Sequence, residues 1–201
     1  GIVGFYGSGN QKLISTMAEV MHKRGPDETG FYVNETEKIY LGHKRLSIID
    51  LKGGKQPMAN LKKSMYIVFN GEIYNHRELR VILERKGYKF KSNYSDTEVI
   101  LHGYEEWGEK VVQYLNGMFS FAIYLPYEKY LFLARDRFGE KPLYYFYDKD
   151  CFIFSSDLNA LKTHFKVSKT INKLSLQKYF AYGYIPSPLT IYNKVFKVEP
   201  G

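Results

Sequence analysis

The stretch between residues 119 and 155 constrains this chain most. Four apolar, aromatic-rich segments follow one another there, at 119–124, 130–134, 143–147 and 152–155. Two of the links, 126–129 and 148–150, are too short for a crossover, so the strands they join must pair as antiparallel hairpins. The segments draw on an unusual store of rings: 19 Tyr, 14 Phe and 1 Trp, 17% of the chain. That much ring area favours strands and supports a sizeable core. With 201 residues, the expected organisation is one large domain, or one domain and a short tail.

Upstream, strands and helices are punctuated clearly. Residues 1–6 (GIVGFY) read as a buried strand, and residues 11–21 place Leu13, Ile14, Met17, Val20 and Met21 at helical spacing. Segments 31–33 and 39–42 are short strand candidates, 45–51 is partly extended, and 65–69 is a strongly apolar strand ending at Asn70-Gly71. Asn75 can cap a helix that Gly87 closes, and Ser95 with Glu98 forms a capping box for a helix running to Trp107. Further helices are predicted at 157–163 and 174–181, and residues 185–188 are extended. Antiparallel strand runs and helices in pairs make an α+β chain, with helices packed outside antiparallel sheets.

Several function classes are excluded or disfavoured. No run approaches the roughly 20 apolar residues of a membrane helix. The start has no basic segment before an apolar one, so no secretory signal is visible and the cytoplasm is expected. The single cysteine, Cys151, rules out an internal disulfide and a cysteine-based zinc site, and the five histidines lack ligand spacing, so no metal is expected. The net charge of +8 is dispersed. Its densest group spans the loop at 52–63, which reads as a solvated basic surface rather than a nucleic-acid site.

Two motifs mislead. Gly4-x-x-Gly7-x-Gly9 follows a strand and precedes a helix, but its spacing is reversed from the dinucleotide fingerprint. Asp136-Arg137-Phe138-Gly139 has one residue too many for a kinase triplet. Others inform. Asn70-Gly71-Glu72 offers a side-chain amide beside an exposed backbone N–H, suitable for holding an oxyanion, although Asn-Gly also favours a plain turn. Arg45 carries the fork that suits a carboxylate, and Asp96 sits in the first turn of its helix, where a carboxylate is favoured anyway. An Arg, a Glu and an Asp converging on one oxyanion hole could bind an amino acid.

The runs Gly1-Ile2-Val3-Gly4, Arg24-Gly25-Pro26-Asp27, Gly42 to Asp50 (GHKRLSIID), Phe69 to Asn75 (FNGEIYN), Ser95-Asp96-Thr97-Glu98 and Arg135 to Gly139 (RDRFG) together resemble the glutaminase domain of class II glutamine amidotransferases. Within that class the chain is most similar to the glutamine-dependent asparagine synthetase family. The resemblance implies an N-terminal nucleophile hydrolase fold: a four-layer α/β/β/α sandwich of two antiparallel sheets. It implies a glutaminase domain at 1–180 and, at 181–201, an extended tail leading toward a synthetase domain.

The resemblance also implies hydrolysis of glutamine to glutamate and ammonia. Arg45 would hold the α-carboxylate of glutamine, Glu72 and Asp96 its α-ammonium. The Asn70 side chain and the Gly71 N–H would form the oxyanion hole, and backbone near Ile48 and Ile49 would line the pocket. No cofactor is expected in this domain. ATP and Mg belong only to the synthetase domain in cis, which would make asparagine from aspartate with the released ammonia. No nucleic-acid or membrane partner is expected, and a homodimer is left open. The family's nucleophile is an N-terminal cysteine immediately before Gly-Ile-Val-Gly, with its own α-amine as base. The sequence in hand starts at Gly1, so the polypeptide as it stands is expected to be inactive. The alternatives are the same domain serving another amidotransferase acceptor, or a non-catalytic glutamine-binding regulatory module.

Overall fold

Along the central strands of this protein, successive residues are apolar on both faces. In β1 (Ile2–Tyr6), Val3 and Phe5 turn to one core while Ile2 turns to another. Strands of that kind must lie between two layers rather than at a surface. The computed structural model, which describes residues 1–46 and 54–201, bears this out.

After β1 come α1 (Gln11–Glu19), β2 (Glu28–Asn34), β3 (Ile39–Arg45), β4 (Met58–Ala59) and β5 (Tyr66–Ile73). Next are α2 (His76–Arg85), α3 (Asp96–Trp107), α4 (Val111–Tyr114), β6 (Gly117–Leu125) and β7 (Tyr130–Arg135). The chain closes with β8 (Tyr144–Tyr147), β9 (Phe152–Ser155), α5 (Leu158–Leu161), α6 (Lys173–Tyr182) and β10 (Val195–Lys197). Among the described residues one sheet has six strands, ordered β10-β8-β9-β1-β3-β2, and the other has four, ordered β4-β5-β6-β7. All the pairings are antiparallel.

Three apolar clusters separate four layers. Ile14, Met17 and Ala18 of α1 and Ala160 and Leu161 of α5 pack on Val3, Phe5 and Ile153 of the larger sheet. Ile2, Ile39, Leu41 and Phe154 of that sheet meet Val68, Ala122 and Tyr124 of the smaller one. Beyond the smaller sheet, Leu79 and Leu83 of α2 and Val99 and Ile100 of α3 cover Ile67, Phe69, Phe121 and Ile123. The expected α/β/β/α sandwich is the one observed. The misleading glycine motif also finds its reason here: a Cβ on Gly4 would strike the Phe154 ring, so Gly4 serves close packing between strands.

Local departures have physical causes. α1 ends at Glu19, earlier than the periodicity predicts, and a 3₁₀ turn at His22–Arg24 follows. The strand expected to end at Asn70-Gly71 instead runs on to Ile73, because β6 pairs with it throughout. Asn75 precedes α2 but its side chain does not cap it. It donates to the Tyr114 carbonyl at 2.9 Å and accepts from the Asn116 N–H at 2.9 Å, fastening the approach to β6. Residues 181–201, expected as an extended tail, contribute β10, which pairs with β8 at the sheet edge.

The ring of Phe121 is fully buried between the smaller sheet and its helices and lies against Phe119 and Phe132. Replacing Phe121 with Ala should cost about 3–5 kcal/mol through lost burial and the cavity left behind. Urea unfolding should show a lower midpoint at unchanged slope, and a loss below ~1 kcal/mol would contradict this packing.

Candidate active site

Side chains two apart on a strand share a face. In β3, Ile39 and Leu41 lie in the core between the sheets, so His43 and Arg45 continue along that face. In β5, Val68 lies in the same core, and Asn70 and Glu72 follow it. The inter-sheet layer therefore begins apolar and ends polar. α3 crosses this end with its first turn against β5, where the Ile73 N–H donates to the Asp96 carboxylate at 3.1 Å.

The result is a cavity of about 370 Å³ lined by Arg45, Asn70, Gly71, Glu72 and Asp96, together with Gly1, His43, Gln56 and Lys141. Five of the seven residues singled out from the sequence thus meet at one pocket. The other two, Ile48 and Ile49, lie outside the described residues. Cys151 does not line the pocket; it is buried in the apolar cluster on the outer face of the larger sheet, and burial, then the Asp148 carboxylate, push its thiol up to about 11.

Each polar group has a distinct electrostatic setting. Arg45 is buried, and its guanidinium pairs with its cross-strand partner Glu28 at 3.2 Å. Glu28 also takes Lys55 at 3.3 Å. Asp96 is buried enough that its carboxyl is pushed up to about 6; the nearby Glu72 adds to the rise and the Ile73 N–H opposes it. A cation placed here would be welcomed by the ionised form. His43 is pushed down to about 3 by burial, and its Nε2 lies 3.1 Å from the Phe69 carbonyl. The ring is therefore neutral, with its proton on Nε2 as the donor.

Asn70 and Gly71 form the pocket's corner. The Asn70 side-chain nitrogen is buried and has no hydrogen-bond partner within the protein. Gly71 has φ +157°, and a Cβ there would run into the Met118 carbonyl oxygen of β6. Only glycine lets the two strands approach so closely at this point.

Several residues that build the pocket carried little signal in the sequence. The Gln56 side chain accepts from the Phe69 N–H at 2.6 Å and donates to the Thr97 hydroxyl at 3.3 Å, clipping β5 to the first turn of α3. A glutamine in a polar loop gives no local hint of such a contact. Glu98 was expected to complete a capping box. Ser95 does accept from the Glu98 N–H at 3.4 Å, but the Glu98 carboxylate turns to the loop before the helix. It accepts from the Lys91 N–H at 2.7 Å, the Ser92 N–H at 2.8 Å and the Ser92 hydroxyl. Burial would raise this acid, yet His102 and those donors outweigh burial and hold it at about 2.

The Asp136 motif is also a framework device. Its carboxylate accepts from the N–H groups of Phe119, Phe138, Glu140 and Lys141 at 2.9–3.2 Å, folding the loop that brings Lys141 to the pocket. Arg135 donates to the Lys141 carbonyl at 2.7 Å and supports the same loop.

Comparison with known proteins agrees with this architecture. A family model described as a glutamine amidotransferase domain matches residues 1–201. The chain is 41% identical over 191 residues to asparagine synthetase [glutamine-hydrolyzing] 1 of Bacillus subtilis, covering 95% of this chain and 30% of the relative. It is 38% identical over 218 residues to a putative asparagine synthetase [glutamine-hydrolyzing] 2 of Methanocaldococcus jannaschii, covering 99% and 42%. The chain thus spans well under half the length of these relatives. Among solved structures it resembles glutamine phosphoribosylpyrophosphate amidotransferase from B. subtilis, with a TM-score of 0.65 at 20% identity. That match covers 81% of this chain and 43% of the other, and it speaks to the fold alone. Among the described residues, no helix is long and apolar enough to cross a membrane. Fold, matched family and relatives agree: the chain belongs to the glutamine amidotransferase domain family, in the branch that matches the N-terminal glutaminase domain of asparagine synthetases.

Proposed function

We propose that the pocket binds glutamine and is the glutaminase site of an asparagine synthetase. The observation that carries this reading is convergence. A buried Arg, an unpartnered buried amide, and two carboxylates from three separate elements line one cavity sized for an amino acid. In this reading Arg45, held by Glu28, takes the α-carboxylate of glutamine. Glu72 and Asp96 take its α-ammonium. The Asn70 amide and the Gly71 N–H hold the side-chain carbonyl oxygen as it becomes an oxyanion.

The chemistry requires a nucleophile, and the family resemblance assigns it to a cysteine joined to Gly1. Gly1 lines this pocket. The thiolate adds to the amide carbon, the α-amine serves as base and passes a proton to the departing nitrogen, and ammonia leaves a thioester. Water then releases glutamate and restores the thiol. In this reading ammonia goes on to amidate aspartate in a synthetase domain, where ATP and Mg would act; the names of the relatives support the assignment to asparagine synthetases and nothing finer. This chain's residues account for binding and oxyanion stabilisation, and no cofactor is needed for those steps.

Three outcomes test the reading. Calorimetry should show saturable heat with glutamine, lost in Arg45→Ala; a flat titration with the intact protein would remove the basis for substrate binding. A polypeptide whose first residue is Gly1 should release no glutamate above a boiled control. One carrying a cysteine directly before Gly1 should release it steadily. Binding should also depend on acidity. The Asp96 carboxyl, near 6 in the free protein, is ionised at pH 7.5 and mostly protonated at pH 5. An ammonium arriving at pH 5 must first displace that proton, so affinity should be about tenfold weaker at pH 5 than at pH 7.5. Asp96→Asn should bind weakly at both values and lose the slope between them.

A further inference from the structure

α6 is an anomaly on the surface of this fold. Only Ser175 of its ten residues is buried. Leu174, Tyr179, Phe180 and Tyr182 are exposed, and Tyr184 beyond the helix is exposed too, with Phe180 at 79%. A ten-residue helix is marginal in water by its own hydrogen bonds, and most helices are stabilised by packing of an apolar face. Yet its ends are specified: the Asn172 side chain accepts from the Ser175 N–H at 3.2 Å, and Gly183 closes it in the left-handed conformation at φ +76°. This is a built helix with an uncovered aromatic face, larger than scattered surface apolar residues require.

Its place in the chain identifies what covers it. The Lys197 ammonium of β10 donates to the Ile185 carbonyl at 2.5 Å, and the Lys197 N–H to the Pro188 carbonyl at 2.7 Å, so the segment after α6 is fastened to β10. Gly201 is four residues beyond Lys197, within about 14 Å of extended chain. The curated relatives continue well past the matched region, which is 30% of the B. subtilis protein and 42% of the M. jannaschii one. α6 is therefore tied, through the segment after it, to β10, the strand that leads to the point where a continuing polypeptide would start, with the Gly201 N–H held by the Asp136 carbonyl at 3.3 Å.

We propose that α6 and residues 182–184 form the surface on which the synthetase portion of the full-length protein docks in cis; this rests on the reading that the domain belongs to an asparagine synthetase. The face lies outside the three cores, which are complete without it, so changes on it leave the glutaminase fold standing.

The test is hydrogen–deuterium exchange on the full-length gene product, on its Phe180→Asp/Tyr184→Asp variant, and on the 201-residue chain. In the full-length protein the amides of residues 174–184 should exchange at least tenfold more slowly than in the 201-residue chain. The double variant should return them to the fast rate while peptides of β5 and β6 stay unchanged. Equal rates in the two wild-type proteins, or slow exchange that survives the double variant, would overturn the proposal. So would a gene product ending at Gly201, or a 201-residue chain that is dimeric at micromolar concentration and becomes monomeric with the double variant, since a second copy would then be the occupant. Glutamate release is measured in parallel on the full-length wild type. Its failure would sink the functional reading while leaving the exchange comparison readable.

Discussion

The face shared by alternate residues of β3 and β5 starts as hydrocarbon and finishes as charge. Ile39, Leu41 and Val68 hold the two sheets together; two residues further along the same rows stand His43 and Asn70, and four residues further Arg45 and Glu72. The pocket needs no separate scaffold, because it is where the inter-sheet core runs out of apolar side chains. This makes strand register the governing constraint. A slip of one residue in β5 would send Asn70 and Glu72 toward the helices and bring Phe69 and Ile73 to the pocket. The β5–β6 ladder fixes that register, with Asn70 opposite Ser120 and Gly71 opposite Phe119. Gly71 lets the ladder close there, since any Cβ would meet the Met118 carbonyl.

How much of this could be read beforehand depended on whether the deciding contact was local. The hairpins β6–β7 and β8–β9 were legible because short turns allow only one pairing. The Ser95 cap was legible because its partner is three residues away. The length of β5 was not, since Asn-Gly favours a turn in isolation and only β6, more than forty residues on, holds it extended. For the same reason Asn75 looked like a cap and turned out to fasten the strand entry at Tyr114 and Asn116. Glu98 obeyed the box pattern, but the N–H groups of Lys91 and Ser92, the latter buried, offered its carboxylate better partners than the helix start did. The five residues that were singled out and meet at the pocket were found through their motifs. Gln56, which binds both β5 and α3, had no motif signal of its own.

The free protein carries two electrostatic costs at this corner. A buried amide nitrogen without a partner, as on Asn70, is unfavourable by roughly 1–3 kcal/mol. A carboxyl raised to about 6, as on Asp96, reports that its charged form is poorly solvated where it stands. Both are relieved by one kind of ligand, a group bearing a carbonyl oxygen for the amide and a cation for the carboxylate. Interactions held ready in this way need no reorganisation when charge develops on the substrate, which is where electrostatic catalysis gains most. Arg45 is treated differently: its counterion Glu28 is built into the neighbouring strand, so the guanidinium is positioned before any ligand arrives.

One more carboxylate joins the pocket to the far end of the chain. Asp136 accepts from the N–H of Phe119, the ladder partner of Gly71, and from Lys141, which lines the cavity. Its backbone carbonyl accepts from the Gly201 N–H at 3.3 Å, and Arg135 beside it donates to the Val198 carbonyl at 2.7 Å. A loop tied by so many backbone donors to one buried acid has little freedom to move piecemeal. The Asn70–Gly71 corner, the Lys141 wall and the last residues of the chain are therefore anchored to a common point. This explains why a run of charged and glycine residues that borders no ligand-binding group in the sequence is as much a part of the site's construction as Asn70 or Arg45.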